Sequence, residues 1–324
     1  MTVAGGRSMV TDQELDLVEE GLGRAVTSDV CLLAEASQHI ICAGGKRIRP
    51  KVVLLSYKAA GGKDICQAVP LAVAVELLHT ASLIHDDIND HSSMRRGQAT
   101  VNARWGDSLA LLTGDFVFIK LLGLMPALDP RLIQVLAGAC RDLVEGEVLQ
   151  LLSLGDTRMD QETYLTIVRK KTASLFSACA ELGGVRAGVG EREVAALKEY
   201  GLNLGMAFQI RDDTLDLVGH REELGKPVGS DLEQGKMSLA TLFALRSSDR
   251  AEEVLFASGP GQRARAGGAA QSIELLRDSR APEYAMLKAK EYSEKAKEAL
   301  SVLAGSAART ALSRLADAVL ARDR

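Results

Sequence analysis

Aromatic side chains are scarce in this chain, with one tryptophan, five tyrosines and six phenylalanines among 324 residues. Seven prolines are too few to interrupt long helices at many points, and no stretch alternates clearly between apolar and polar residues as a half-buried strand would. Cysteine is confined to Cys31, Cys42, Cys66, Cys140 and Cys179, without C-x-x-C spacing and among apolar neighbours. That excludes a thiolate metal centre and a disulfide frame, and it reads as reduced core cysteines of a cytoplasmic protein. Positive charge is not in excess: 39 Lys and Arg stand against 43 Asp and Glu, which gives no support for a nucleic-acid partner. No uncharged apolar run reaches the eighteen or so residues of a membrane span. The opening MTVAGGRSMVTDQEL lacks the apolar core of a signal peptide.

What is abundant is Ala and Leu, which favour helix. Apolar periodicity and breakers predict helices over roughly 11–41, 47–60, 66–91, 107–126, 129–153, 160–182, 190–219, 236–246, 284–304 and 307–322. Breaks fall at Gly44-Gly45, Gly61-Gly62, Asp129-Pro130, Gly183-Gly184 and between Gly219 and Gly229. The Gly-rich SGPGQRARAGGAAQ, 258–271, reads as a flexible surface loop, since helix resumes after it. The expectation is an all-α, single-domain bundle of about ten or more helices spanning 1–324, long enough to bury a large core.

The most informative stretch is ELLHTASLIHDDINDHSSMRRG, Glu76 to Gly97. Its first two-thirds lack Gly and Pro and are apolar nearly all round, so a buried helix is expected. That helix ends on Asp86, Asp87 and Asp90. Like charges so close in a low dielectric repel unless a cation lies between them. Asp86 and Asp90 are one turn apart on one face, and an oxygen-only set suits a hard cation such as Mg²⁺. An EF-hand is excluded, because its Gly and Glu positions hold Ser92 and Gln98. Taken singly, such an acid run is usually solvated surface. Repetition changes the balance: FQIRDDTLDLVGH carries Asp212, Asp213 and Asp216 at the same spacing on a second apolar helix. Facing each other across a cavity, six carboxylates would need several divalent cations and a highly anionic ligand such as a diphosphate.

The basic stretches match that ligand. Arg95 and Arg96 follow the first acid motif, and GGKRIRP places Lys46, Arg47 and Arg49 at a helix start, where free N–H groups and side chains both attract phosphate. These stretches, with KKTASLF (170–176), GKPVGSDLEQGK (225–236) and the two acid motifs, resemble the all-trans isoprenyl diphosphate synthase family, in the family's order and over nearly the whole chain. The resemblance implies a prenyltransferase that joins isopentenyl diphosphate head-to-tail to an allylic diphosphate. It assigns Lys46, Arg49, Arg96 and His79 to the isopentenyl diphosphate, and Arg95, Lys171, Lys226 and Lys236 to the allylic diphosphate. It gives Asp86, Asp87, Asp90, Asp212, Asp213 and Asp216 to about three Mg²⁺ ions. Thr172 and Gln209 would flank the reacting carbons, where an oxygen dipole stabilises positive charge. Asp86, Asp87, Asp90, Lys171, Thr172, Gln209 and Asp212 thus form the expected catalytic set. The family is usually homodimeric, and a heteromer stays open.

Product length is expected from Ala81 and Ser82, small residues one turn before Asp86, where the family associates aromatics with short products. An open passage there implies about thirty to fifty carbons, each helical turn adding ~5.4 Å of depth. Ala74, Leu78, Phe116, Phe118, Leu121 and Met125 are candidate deeper walls. The alternatives are a geranylgeranyl diphosphate synthase and a non-catalytic partner subunit. A terpene cyclase is disfavoured, because the second motif is another Asp-Asp pair and GGKRIRP suits a second substrate.

Overall fold

A computed structural model of the chain describes residues 10–218, 229–247, 275–276 and 279–321. Lys226 and the 258–271 segment lie outside the described residues. Helix dominates, and strand is confined, among the described residues, to a hairpin of β1 (Met94–Arg95) and β2 (Gln98–Ala99), too short to leave an alternating pattern. The chain divides into two compact units, 1–138 with 176–201 and 299–315, and 139–175 with 202–298 and 316–324.

In the first unit, α1 (Asp12–Ala25), α2 (Cys31–Cys42), α3 (Ile48–Ala59) and α6 (Asp107–Leu124) pack around or near α4 (Val69–Asn89). Helix α4 is buried on every side from Leu71 to Leu78, as its apolar run requires. The short α5 (Val101–Trp105) precedes α6. Long helix α7 (Pro130–Leu152), α9 (Ser174–Ala187) and α10 (Glu191–Val218) run through residues of both units. The core of the first unit includes Leu22, Leu54, Leu71, Leu77, Leu121, Phe176 and Tyr200. A capping box starts α1: Glu14 N donates to Thr11 Oγ1 at 3.2 Å and Thr11 N to Glu14 Oε2 at 2.8 Å, the sort of cap that contributes ~1 kcal/mol.

The second unit gathers α8 (Gln161–Val168), α11 (Ser230–Glu233), α12 (Leu239–Ser247) and most of α13 (Ala281–Ala299) around Tyr164, Ile167, Met206, Ile210, Leu217 and Leu239. Helix α14 (Ala307–Leu320) closes the chain.

Four expectations are corrected, the first being the break at Gly183-Gly184: α9 runs through both glycines and ends at Ala187. The 11–41 helix is two helices, because Thr27 Oγ1 donates to the Arg24 carbonyl and Ser28 Oγ accepts from Val30 N, giving the backbone local partners that end α1 without Gly or Pro. The 160–182 helix is interrupted by a π-helical turn over Arg169–Ala173. Of the cysteines only Cys179 is buried; Cys31, Cys42 and Cys66 are exposed and all five are free, since apolar neighbours in sequence do not fix which helix face a residue takes. Two helical stretches, Ile65–Asn89 and Asp107–Ala127, are long and apolar enough to cross a membrane when one or two charges are tolerated. The first is 67% buried, as a core helix is, and the second 28% buried.

Candidate active site

The acid motifs sit where a helix least favours them. Asp86 and Asp87 lie in the last turn of α4 and Asp90 is its C-cap; Asp212, Asp213 and Asp216 occupy the last two turns of α10. The helix dipole is negative at that end, so nearby cations are required. Helix α4 closes in a Schellman arrangement, with Ser92 N donating to the Asp87 carbonyl at 2.9 Å, His91 N to that of Ile88 at 3.1 Å, and His91 in the left-handed region at φ 50°. Asp90 N donates to the Asp86 carbonyl at 2.8 Å, which keeps the two acids one turn apart.

The RRG segment owes its glycine to the hairpin turn. Met94 faces Ala99 and Arg95 faces Gln98, leaving Arg96-Gly97 as a two-residue loop with φ of 53° and 77°, as a type I′ turn demands. The turn delivers Arg95 to Asp87: Nε lies 2.9 and 3.0 Å from the two carboxylate oxygens and Nη2 2.7 Å from Oδ1. Burial raises the Asp87 carboxyl above its ordinary range, although Arg95 pulls the other way. Arg96 Nη1 donates to the Gly44 carbonyl. Gly45 takes φ 152°, a conformation that residues with a side chain rarely adopt, so a glycine is needed where the two basic loops meet. Arg49 places its guanidinium 4.7 Å from the centre of the Phe176 ring. His79 is held well below its ordinary pKa by burial first and then by Arg49, Arg96, Arg95 and Arg47. It is therefore neutral at pH 7 and offers hydrogen bonds, while the arginines offer charge. Lys46 is exposed beside this group. The first unit thus brings Arg49, His79, Arg95 and Arg96 together with the first acid motif.

In the second unit the π turn places Lys171 and Thr172. Gly146 of α7 makes this possible, since a Cβ there would lie 2.4 Å from Lys171 N. Lys171 Nζ forms an ion pair with Glu147 and donates to Gln150 Oε1 at 2.6 Å. A hydrogen-bonded chain then runs to the acid motif: Thr172 Oγ1 donates to Gln209 Oε1 at 2.8 Å, Gln209 Nε2 to Asp213 Oδ1 at 2.7 Å, and Tyr164 Oη to Asp213 Oδ2 at 2.6 Å. Asp213 keeps some exposed surface, but its carboxyl is enclosed enough that burial, followed by the charge of Asp231, pushes its pKa up to about 7. The hydrogen bonds from Tyr164 and Gln209 work in the opposite direction. Buried Asp216 accepts from Ser230 Oγ at 3.1 Å and Asp231 N at 3.0 Å. Lys236 is half-buried, and its N–H donates to the Asp231 carbonyl.

The donors available fit a hard divalent cation. They are carboxylate oxygens without thiols, and Asp86, Asp90 and Asp212 remain partly open to solvent. Among the described residues no group of three Asp, Glu, His or Cys is placed to hold a metal ion by itself. Sequence reasoning passed over Tyr164, Glu76 and the α7 residues Gly146, Glu147 and Gln150. Glu76 could have been found: a lone acid inside VPLAVAVELLHTASLI must be buried, and a buried charge needs a partner.

Comparison with known proteins agrees with this arrangement. Residues 30–273 match the polyprenyl synthetase family model. A heptaprenyl diphosphate synthase component 2 from Geobacillus stearothermophilus is 45% identical over 250 residues, 76% of this chain and 77% of that protein. A short chain isoprenyl diphosphate synthase from Methanothermobacter thermautotrophicus is 41% identical over 298 residues, 90% of each chain. The crystal structure of a polyprenyl synthase from Caulobacter crescentus, complexed with calcium and isoprenyl diphosphate, superposes with a TM-score of 0.93 at 37% identity, covering 97% of this chain and 96% of that one. The chain belongs to the polyprenyl synthetase family, and its activity is that of a prenyltransferase.

Proposed function

We propose that this chain is a Mg²⁺-dependent trans-polyprenyl diphosphate synthase that condenses isopentenyl diphosphate onto an allylic diphosphate. The observation that carries the reading is the grip of Arg95 on Asp87 beside the guanidinium-ringed His79, which sets a cation-seeking acid motif against an anion-seeking pocket. Asp86, Asp87, Asp90, Asp212, Asp213 and Asp216 would hold the metal ions, and Asp87, Asp213 and Asp216 also accept hydrogen bonds within the chain. Mg²⁺ held there would supply Lewis-acid neutralisation of the allylic leaving group. Arg95, Lys171, Lys226 and Lys236 share that task, so the allylic C–O bond can ionise. Thr172 and Gln209 set their oxygens against the developing positive charge. Lys46, Arg49, Arg96 and His79 hold isopentenyl diphosphate while its alkene attacks, and the released diphosphate takes the proton. Apolar walls exclude water, which would otherwise quench the cation to an alcohol.

The reading takes 1–324 as one synthase domain and the product as about thirty to fifty carbons, each α4 turn adding ~5.4 Å of depth. Small Ala81, buried in α4, and Ser82, whose Oγ donates to the His79 carbonyl at 2.8 Å, support the open passage. A geranylgeranyl product is the alternative, since one relative is named for short chains. A homodimer is supported by α6, whose Leu111, Leu112, Ile119 and Leu122 are 51%, 59%, 59% and 43% exposed and present an apolar surface suited to a second copy. A cytoplasmic setting is supported by the five free cysteines. The test is incorporation of labelled isopentenyl diphosphate by the purified chain alone, with Mg²⁺ and with chelator. Turnover that chelator abolishes supports the reading. Turnover only after a second protein is added would make the chain a partner subunit.

A further inference from the structure

Arg47 is the one arginine of GGKRIRP to which the reaction gives no task, and four side-chain hydrogen bonds hold it. It is buried, and its backbone is left-handed, at φ 47° and ψ 44°, immediately before α3. A residue with a side chain persists there only where its surroundings over-determine it, against a cost of ~1–3 kcal/mol. The surroundings are three other helices. Nε and Nη2 donate to the two carboxylate oxygens of Glu19 on α1, at 2.5 and 3.0 Å. Nη1 donates to Glu76 Oε1 on α4 at 2.8 Å, and Nη2 also to the Ile41 carbonyl near the end of α2 at 2.8 Å. A guanidinium has five N–H donors, and these contacts occupy four of them, so Arg47 cannot also grip a diphosphate in two-pronged fashion. Glu76 is as buried as its partner, and within the apolar interior of α4 it serves this arginine.

We propose that the Glu19–Arg47–Glu76 triad is a positioning device for the isopentenyl diphosphate site: it fixes the left-handed turn between Lys46 and Arg49 and so presents both to one diphosphate. The inference rests on the proposed function, which assigns those two residues to isopentenyl diphosphate. The triad ties the loop to α1, α2 and α4, and α4 also carries His79, so the loop and the histidine keep one spacing. Lysine cannot replace Arg47, because a single ammonium cannot reach two carboxylates and a carbonyl in a fixed plane.

The test compares wild type with Arg47→Lys, Glu76→Gln and Glu19→Gln. KM is measured for each substrate, and isopentenyl diphosphate binding is measured by calorimetry on chelator-treated protein. Arg47→Lys and Glu76→Gln are expected to raise the isopentenyl diphosphate KM about tenfold and weaken its calorimetric binding to match, leaving kcat and the allylic KM within about twofold, as expected when only ground-state positioning is lost. In Glu19→Gln the buried Arg47 stays paired with Glu76 and the replaced side chain is 44% exposed, so this variant is the least disruptive of the three; it is expected to raise the same KM about threefold. An unchanged isopentenyl diphosphate KM in folded variants, or equal losses for both substrates, would overturn the inference. If wild type itself neither binds nor consumes isopentenyl diphosphate, the functional reading fails before any variant is compared.

Discussion

Arg95 and Asp87 form a two-pronged ion pair, with Nε and Nη2 of the arginine both on the carboxylate and the Asp87 side chain 2% exposed. Asp86, its neighbour in the same helical turn, is half-buried instead. The two acids should therefore fail differently. Asp87→Ala strands a partly buried guanidinium and is expected to cost about 3 kcal/mol in urea unfolding, the low end for breaking a buried pair. Asp86→Ala is expected to stay within about 1 kcal/mol of wild type in the same experiment while losing at least ~100-fold in turnover. Near-normal turnover of Asp86→Ala would remove its metal role.

Asp213 supplies a pH dependence whose sign can be worked out. Its folded pKa, about 7, lies above the ordinary carboxylate value of about 4. The folded state therefore holds the proton more tightly, and the stability this contributes is complete below about pH 4 and lost as pH rises to about 7. In chelator-treated protein, wild type is expected to lose roughly 2–4 kcal/mol over that window that Asp213→Asn retains. Tyr164→Phe removes a hydrogen bond that lowers this pKa, so it should move the midpoint upward and reduce turnover about tenfold. Parallel pH–stability curves for Asp213→Asn and wild type would contradict the assignment.

Gly146 tests how closely the π turn must be approached. An added methyl would meet the Lys171 backbone at 2.4 and 2.8 Å, where no flexible side-chain end can give way. Gly146→Ala is expected to destabilise by about 1–3 kcal/mol and to raise the allylic KM by displacing Lys171. Thermal unfolding and substrate titration check the two effects.

Much of this fold was legible because breakers and apolar runs are local. The Gly pairs at 44–45 and 61–62 and the Asp129-Pro130 step ended helices as expected, and the uninterrupted run before Asp86 is the buried α4. The missed features depend on partners far along the chain. Arg47 meets Glu19 and Glu76 at separations of 28 and 29 residues, and Tyr164 meets Asp213 at 49. The π turn packs closely against α7 at Gly146, a contact 25 residues away in sequence from Lys171 that no local pattern reveals. Even the acid motifs disclosed only their spacing; which carboxylates are already held by Arg95, Tyr164 or Ser230 required the structure.

Ala81 carries the expectation about product length. It is buried in α4, one turn before Asp86, so Ala81→Phe overpacks its surroundings and, on the proposed reading, blocks the passage for the growing chain. The variant is expected to unfold about 1–3 kcal/mol more easily and to make shorter products at a measurable rate. Products of unchanged length would place the chain-length wall elsewhere.

The central claim is tested most directly by sizing products. Purified protein with Mg²⁺, labelled isopentenyl diphosphate and farnesyl diphosphate would be incubated, and the dephosphorylated lipids separated by reversed-phase chromatography. The account predicts a ladder that climbs one five-carbon unit at a time to about thirty carbons or more, consistent with ~5.4 Å of depth per helical turn past Ala81. Absence of any incorporated label would contradict it.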